Sequence, residues 1–201
     1  MTRSIELFYD FRSPYSYLAF TQLREMGVDL VLRPMQVLKL MEAVGNVPTT
    51  LTCAAKGRYA RTDLARWAQR YGFALNPSDM RANDGDACSR AVLAAESPAD
   101  AATVTQALYS ACWSEAKALA TKDDILAVIA AAATGINVDV DAIARRIDAP
   151  ETIAQLDANT REAVERGVFG SPTMFVGDAM FFGNDRLDFV REHLAQLEQA
   201  A

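Results

Sequence analysis

The sequence predicts an α/β protein, in which a strand–helix–strand unit at one end and a strand–strand–helix unit at the other enclose an all-helical insertion. Two observations support this. Short apolar runs with turn signals occur only near the two termini, and the long region between them shows helical spacing with no strand pattern. About half of the residues are apolar and 23% are charged, which indicates a packed core.

The N-terminal unit begins with a short buried strand at Ser4–Tyr9. A helix is expected over Pro14–Met26, because Ser13 suits the N-cap and proline is favoured at the first helical position. Gly27 is a stop signal, and Val28–Leu32 reads as a second strand. These elements form a βαβ unit with a tight first turn.

The middle of the chain is rich in alanine, leucine and charged residues at helical spacing. Ser97-Pro98 and Thr121, which is followed by two aspartates, are expected helix starts. The pattern predicts five or six helices between about Leu38 and Arg166.

The C-terminal unit contains two short strands, Thr173–Val176 and Ala179–Phe182, around a Gly177-Asp178 hairpin signal. A final helix is expected to start at Asn184-Asp185. Its predicted apolar stripe comprises Leu187, Val190, Leu194 and Leu197.

This order of elements is that of a thioredoxin-like fold (βαβ…αββα) with an all-helical insertion domain. We expect residues 1–37 and 168–201 to form the thioredoxin-like domain, with a connecting helix near 150–167. Residues 38–150 are expected to form the insertion.

Composition excludes several functions. The net charge of −6 and the absence of a Lys/Arg cluster argue against a nucleic-acid partner. One histidine and three scattered cysteines give no metal-site spacing. The odd cysteine count argues against a disulfide framework and favours a reducing compartment. No signal-peptide pattern or membrane-length apolar run is present, so we expect a cytoplasmic protein without a membrane partner.

Ser13 is the first candidate functional residue. A helix start that follows a strand offers free N–H groups and a positive dipole end, where an anion is favoured. Thioredoxin-like proteins keep a Cys-x-x-Cys pair here, whereas this chain has Ser13 and Ser16. A serine hydroxyl is a poor nucleophile without a base, but it can donate a hydrogen bond to an anion that a ligand brings. Helix capping alone is the other interpretation.

Ser171-Pro172 lies just before a predicted strand, where thioredoxin-like folds place a cis-proline facing the first helix. A cis bond would leave the Ser171 backbone free to pair with an extended peptide. An ordinary trans-proline at a strand start is equally compatible with the residues.

Asn184 and Asp185 stand at a second helix start, where capping explains them. Alternatively, Asn184 and the helix N–H groups bind a carboxylate while Asp185 binds an ammonium group. From residue type alone, Lys56 is a surface lysine.

Four stretches, "DFRSPYSYLA", "AVGNVP", "KGRYARTDLARWAQRYG" and "GVFGSPTMFVGDAMFFGNDRL", together resemble the 2-hydroxychromene-2-carboxylate isomerases. These are relatives of kappa-class glutathione transferases within the DsbA-like thioredoxin superfamily. The resemblance is strong over residues 5–20, 45–72 and 165–190 and weak from about 80 to 150. It implies glutathione as a cofactor, an aromatic carboxylate as substrate and a homodimer.

The resemblance also implies roles for individual residues. Ser13 would donate its hydroxyl hydrogen bond to the glutathione thiolate, and Ser171, ahead of cis-Pro172, would pair its backbone with the cysteinyl part. The other implied glutathione contacts are Asn184 and Asp185 at the γ-glutamyl end, with Lys56 and Asn46 lining the site. Tyr15, Tyr59 and Trp113 are expected substrate contacts, although aromatic residues are by default core residues. Asp63 matches a family position whose role is open.

Three functions follow as hypotheses. The first is a glutathione-dependent isomerase that interconverts 2-hydroxychromene-2-carboxylate and trans-o-hydroxybenzylidenepyruvate. The second is a kappa-like transferase or peroxidase that acts on another electrophile or a hydroperoxide. The third is a DsbA-like thiol oxidoreductase or an inactive binding relative, which the missing cysteines disfavour.

Overall fold

The computed structural model describes residues 4–133 and 138–199. The elements in chain order are β1 (Ser4–Tyr9), α1 (Pro14–Leu23), β2 (Asp29–Pro34), α2 (Val37–Ala43), α3 (Thr49–Thr52), α4 (Ala54–Tyr71), α5 (Gly85–Leu93), α6 (Pro98–Trp113), α7 (Lys122–Ala132), α8 (Val140–Arg146), α9 (Pro150–Glu165), β3 (Thr173–Val176), β4 (Ala179–Phe182) and α10 (Leu187–Gln199). Turns of 3₁₀ helix occupy Arg24–Met26 and Asn184–Arg186. The predicted thioredoxin-like α/β fold is confirmed.

The four strands form one mixed sheet in the order β2-β1-β3-β4. β1 runs parallel to β2 and antiparallel to β3, with Phe8 opposite Thr173. Both central strands are extensively buried; all four residues of β3 are buried, whereas the edge strand β4 alternates. Because β1 ends where β3 begins, the residues after Tyr9 and before Thr173 meet at one edge of the sheet.

Helix starts follow the predicted capping residues. Ser13 caps α1, Ser97 caps α6, and Thr121 with Asp124 forms a capping box at α7. The observed first helix is shorter than the predicted one, because α1 ends at Leu23 and a 3₁₀ turn leads to Gly27 at φ 65°. The second strand lies slightly later than expected, at Asp29–Pro34.

The middle region has more helices than the sequence predicts. The described part of residues 37–166 contains eight helices, α2 to α9, instead of five or six. The short ones explain the difference, since α3 is a single turn and has no periodic pattern to recognise. In α10, Leu197 is 46% exposed and lies outside the buried stripe that was expected to include it.

Two groups of buried side chains cover the two faces of the sheet. On one face, Leu7 and Tyr9 of β1 share a continuous core with Phe20 of α1 and with Tyr109 and Ile129 of the helical region. On the other face, Phe8 and Phe175 pack against α2 and α9. The helical region therefore packs directly on the sheet, and its treatment as a separate domain stays a prediction.

Within the described ranges, the helices are all too short or too polar to cross a membrane.

Candidate functional site

The start of α1 faces the turn before β3. Ser13 is the N-cap, and its hydroxyl oxygen accepts the Ser16 N–H at 3.2 Å. The same hydroxyl donates to the Ser171 carbonyl oxygen at 3.1 Å. The two predicted site residues Ser13 and Ser171 are thus in direct contact, although they are far apart in sequence.

The Ser171-Pro172 peptide bond is cis. The Ser171 hydroxyl accepts the Asp10 N–H at 3.1 Å and shares a hydrogen bond with the buried Ser16 hydroxyl. Within residues 4–133 and 138–199, the Ser171 N–H has no hydrogen-bond partner. One backbone donor is therefore available to pair with an extended peptide at this edge.

Asp10 organises the turn between β1 and α1. Its fully buried carboxylate accepts the Arg12 N–H at 2.8 Å, an Arg12 guanidinium N–H at 3.0 Å and the Val37 N–H at 2.9 Å. Its carbonyl oxygen accepts the Ser13 N–H at 3.0 Å. Burial raises the pKa of Asp10, against the lowering effect of the Arg12 charge.

Arg12 extends this network to α5. Its second guanidinium nitrogen lies 2.7 Å from an Asp86 oxygen, and the other Asp86 oxygen accepts from the Gln36 amide at 2.7 Å. Against the effect of its partial burial, these hydrogen bonds hold the pKa of Asp86 below its ordinary value. Sequence reasoning missed Asp10, Arg12 and Ser16 as site residues; the available signal was a charged residue directly after a buried strand.

Asn184 and Asp185 lie in the wall of a cavity of about 230 Å³ between α1, α4 and α10. The Asn184 side chain is buried, and its amide nitrogen has no hydrogen-bond partner in the described part of the chain. The Asp185 carboxylate is half exposed and paired with Arg186. The wall of one cavity therefore contains a residue with a buried, unpartnered donor and a residue with a half-exposed carboxylate.

A second cavity, of about 400 Å³, contains Tyr15, Lys56 and Tyr59 in its wall. The Tyr15 hydroxyl donates to Asp63 at 3.0 Å. Burial raises the pKa of Tyr15, and the hydrogen bond and charge of Asp63 raise it further. Tyr15 therefore keeps its proton near neutral pH. The Asp185 charge also contributes to this shift, so Asp185 lies within electrostatic range of Tyr15.

Asn46 connects the loop after α2 to the segment before Ser171. Its amide nitrogen donates to the Phe169 carbonyl at 2.7 Å, and its amide oxygen accepts the Val47 N–H at 2.8 Å. Asn46 is thus placed to hold the Ser171 segment in position.

Trp113 is placed differently from the expected substrate contact. It is 5% exposed, and its indole N–H donates to the Phe11 carbonyl at 3.0 Å. The side chain therefore belongs to the core beneath the β1–α1 turn, and it does not line the cavity of Tyr15 and Tyr59. The default interpretation, a core aromatic residue, is the correct one here.

The three cysteines are free. None of them occupies the positions of Ser13 and Ser16, where thioredoxin-like proteins have a cysteine pair. Cys88 and Cys112 are buried, and burial raises both pKa values, that of Cys112 to about 12. Cys53 precedes α4, and the nearby Lys56 backbone N–H lowers its pKa. Among the residues described, no three His, Cys, Asp or Glu side chains are grouped to bind a metal.

Comparison with known proteins gives a consistent result. Residues 4–195 match the model of the DSBA-like thioredoxin domain. A 2-hydroxychromene-2-carboxylate isomerase from Pseudomonas putida is 33% identical, over 96% of this chain and 95% of that protein. Glutathione S-transferase kappa 1 from Homo sapiens is 29% identical, over 98% and 92% of the two chains. The solved structure of a 2-hydroxychromene-2-carboxylate isomerase superposes with a TM-score of 0.86 at 28% identity, covering 98% of this chain and 97% of that one.

Proposed function

The chain belongs to the DSBA-like thioredoxin domain family and, within it, to the 2-hydroxychromene-2-carboxylate isomerases, and we propose that it is a glutathione-dependent isomerase. Its reaction would interconvert 2-hydroxychromene-2-carboxylate and trans-o-hydroxybenzylidenepyruvate by reversible thiolate addition, in the breakdown of aromatic compounds. The homodimer, the cytoplasmic location and the aromatic carboxylate substrate implied by the resemblance are parts of the same proposal.

One observation carries the proposal. Ser13 starts α1 in direct contact with Ser171, where a redox relative would have a cysteine facing the cis-proline turn. The site has the features that favour an anion, but a serine hydroxyl does not ionise near neutral pH. A site of this kind is suited to a sulfur that arrives with a ligand.

The residues present fit glutathione. The Ser171 N–H without a partner suits the peptide backbone of the cysteinyl residue, and the orphaned Asn184 amide suits a carboxylate of the γ-glutamyl end. Asp185 would complement the γ-glutamyl ammonium, and Lys56 and Asn46 would line the same site. When bound, glutathione would supply a thiolate that adds to a conjugated carbon, permits bond rotation and is eliminated unchanged.

The chain's own contribution is to hold that thiolate and the substrate. The α1 N-terminus and the Ser13 hydroxyl favour the anionic sulfur, and each lowered pKa unit corresponds to about 1.4 kcal/mol. The Ser13 hydroxyl now donates to Ser171, so its hydrogen must turn away from that carbonyl to reach a sulfur. Tyr15, which keeps its proton, and Lys56 line the neighbouring cavity and would bind the substrate's oxygens.

A spectrophotometric assay of 2-hydroxychromene-2-carboxylate, with and without a trace of glutathione, tests the proposal. We expect glutathione-dependent approach to an equilibrium mixture, with no consumption of glutathione. Conversion that requires stoichiometric glutathione would contradict the isomerase.

The likeness to glutathione S-transferase kappa 1 favours a second candidate, a transferase or peroxidase that uses the same glutathione site. Mass analysis distinguishes the candidates, because a conjugate gains the mass of glutathione and an isomer gains nothing. For the third candidate, a thiol oxidoreductase, Ser13 and Ser16 lack the required sulfur. Reduction of insulin by the pure protein would support the thiol oxidoreductase.

A further inference from the structure

The cavity beside Asn184 has a wall of residues to which the resemblance assigns no role. Its α4 side is formed by Trp67, Arg70 and Tyr71 and its α10 side includes Arg191. The Tyr71 hydroxyl donates to the Asn184 carbonyl oxygen at 3.4 Å, which joins the two sides. The cavity is therefore bounded by three elements of the fold.

The Asn184 amide indicates the chemistry of an occupant. Its nitrogen carries two N–H donors, lies in a side chain that is 3% exposed, and has no partner in the described residues. A buried donor without an acceptor is destabilising, and such groups are rare in folded proteins. The missing partner is an acceptor, such as a carboxylate oxygen.

The charges around the cavity support an anionic acceptor. Arg191 is neutralised by Asp188 at 2.8 Å, and Asp185 is paired with Arg186. Arg70 has no carboxylate partner among residues 4–133 and 138–199, and its guanidinium lies 5.6 Å from the Trp67 ring centroid. This contact places the guanidinium beside the Trp67 ring and leaves its N–H groups available for a carboxylate.

We infer that Arg70 is a specificity-determining residue that, together with the Asn184 amide, binds the α-carboxylate of an amino-acid head group. Asp185, on the same wall, complements the ammonium group of that head group. This inference rests on the proposed function, in which the head group is the γ-glutamyl residue of glutathione. It adds the C-terminal turn of α4 to a glutathione site for which the resemblance assigns only Lys56 of that helix, at its start.

Calorimetric titration of Arg70→Gln with two ligands tests the inference. S-methylglutathione has the α-carboxylate and no free thiol, so its binding does not depend on thiolate formation. The 4-aminobutanoyl-Cys-Gly analogue, also S-methylated, keeps the ammonium and lacks only that carboxylate. We expect Arg70→Gln to weaken S-methylglutathione about 10-fold and to leave the analogue unchanged.

The matched control is Arg61→Gln, an arginine of α4 that is exposed and does not line the cavity. It should bind both ligands as the wild type does. Arg70→Lys, which keeps the charge but not the planar fork, should lose less affinity than Arg70→Gln.

The outcomes separate the inference from the proposed function. Equal weakening of both ligands by Arg70→Gln, or no weakening of either, overturns the role of Arg70 while glutathione binding by the wild type stands. Absence of S-methylglutathione binding by the wild type overturns both. Thermal melting that matches the wild type confirms that a loss by Arg70→Gln reflects the ligand contact.

Discussion

Two helix starts in this protein carry the groups from which thiol chemistry is usually built, and they differ in their surroundings. At α1, Ser13 is hydrogen-bonded to Ser16 and to Ser171 beside the cis-proline. At α4, Cys53 has a lowered pKa and a more open setting, and no side-chain hydrogen bond caps the helix. The protein thus has a thiol at the start of α4, whereas the candidate site lies at the start of α1, where the side chain is a hydroxyl.

The comparison shows that a helix N-terminus alone does not define a site. What distinguishes α1 is the set of fixed neighbours, namely the buried Asp10 and the Ser171 turn. Dipole and free N–H groups are available at both helices, but only α1 combines them with a peptide-pairing edge. Three experiments examine this contrast, in order of decreasing expected effect.

The largest effect is expected from Asp10→Ala. It would leave the buried Val37 N–H, the partly buried Arg12 N–H and part of the Arg12 guanidinium without their acceptor, which should lower the free energy of unfolding by about 3–5 kcal/mol. Urea denaturation measures the loss. Thr52→Ala, beside the α4 start, should change stability by less than about 0.5 kcal/mol.

The pH dependence of Asp10 provides a control on its charge. Because burial raises its folded-state pKa, Asp10 contributes most to stability below the ordinary aspartate pKa, and this contribution is lost as pH rises through the raised value. Asp10→Asn should remove that dependence. A loss below about 1 kcal/mol for Asp10→Ala would refute the role of Asp10 as the organiser of the turn.

An intermediate effect is expected from Ser13→Ala. Loss of a hydrogen bond to a thiolate should lower kcat/KM of the glutathione-dependent reaction about 10- to 100-fold, and loss of the cap should cost about 1 kcal/mol of stability. Steady-state kinetics at fixed glutathione measures the first effect. Ser97→Ala removes an equivalent cap from α6. It should therefore reduce stability by a similar amount and leave the activity unchanged. Unchanged turnover in Ser13→Ala would support the inactive-relative hypothesis.

The smallest effect on activity is expected at Cys53. Because its pKa is lowered, iodoacetamide should label Cys53 at a lower pH than it labels an ordinary thiol, while Cys88 and Cys112 react only after unfolding. Peptide mass mapping over a pH series identifies the labelled residue. Cys53→Ser should retain wild-type activity. A lost activity would show that the sulfur of the reaction belongs to the protein and would remove the contrast between the two helix starts.

The parts of the fold that the sequence predicted are those with local signals. Ser13-Pro14, Ser97-Pro98 and Thr121 mark helix starts through capping chemistry, and Gly177-Asp178 marks the hairpin. The one-turn helix α3 was not predictable, because four residues show no period.

The site was predictable only in part for the same reason. Ser13 and Ser171 could be proposed because each belongs to a local motif. The network of Asp10, Arg12 and Asp86 depends on contacts between distant segments, and single-residue patterns do not encode them. Trp113 was expected to contact the substrate, but it is buried in the core. An aromatic residue gives the same local sequence signal in a pocket and in the core.

The strand order has a consequence for the synthesis of the chain. β1 and β2 emerge from the ribosome before β3, but the other edge of β1 pairs with β3, in which Thr173 stands opposite Phe8. During translation the helices α5 to α8 therefore become available while half of the sheet is still missing. Ser171 and Asn184 are made after these helices, so the site of each newly synthesised molecule is completed only when the segment with β3 and β4 joins a scaffold made earlier.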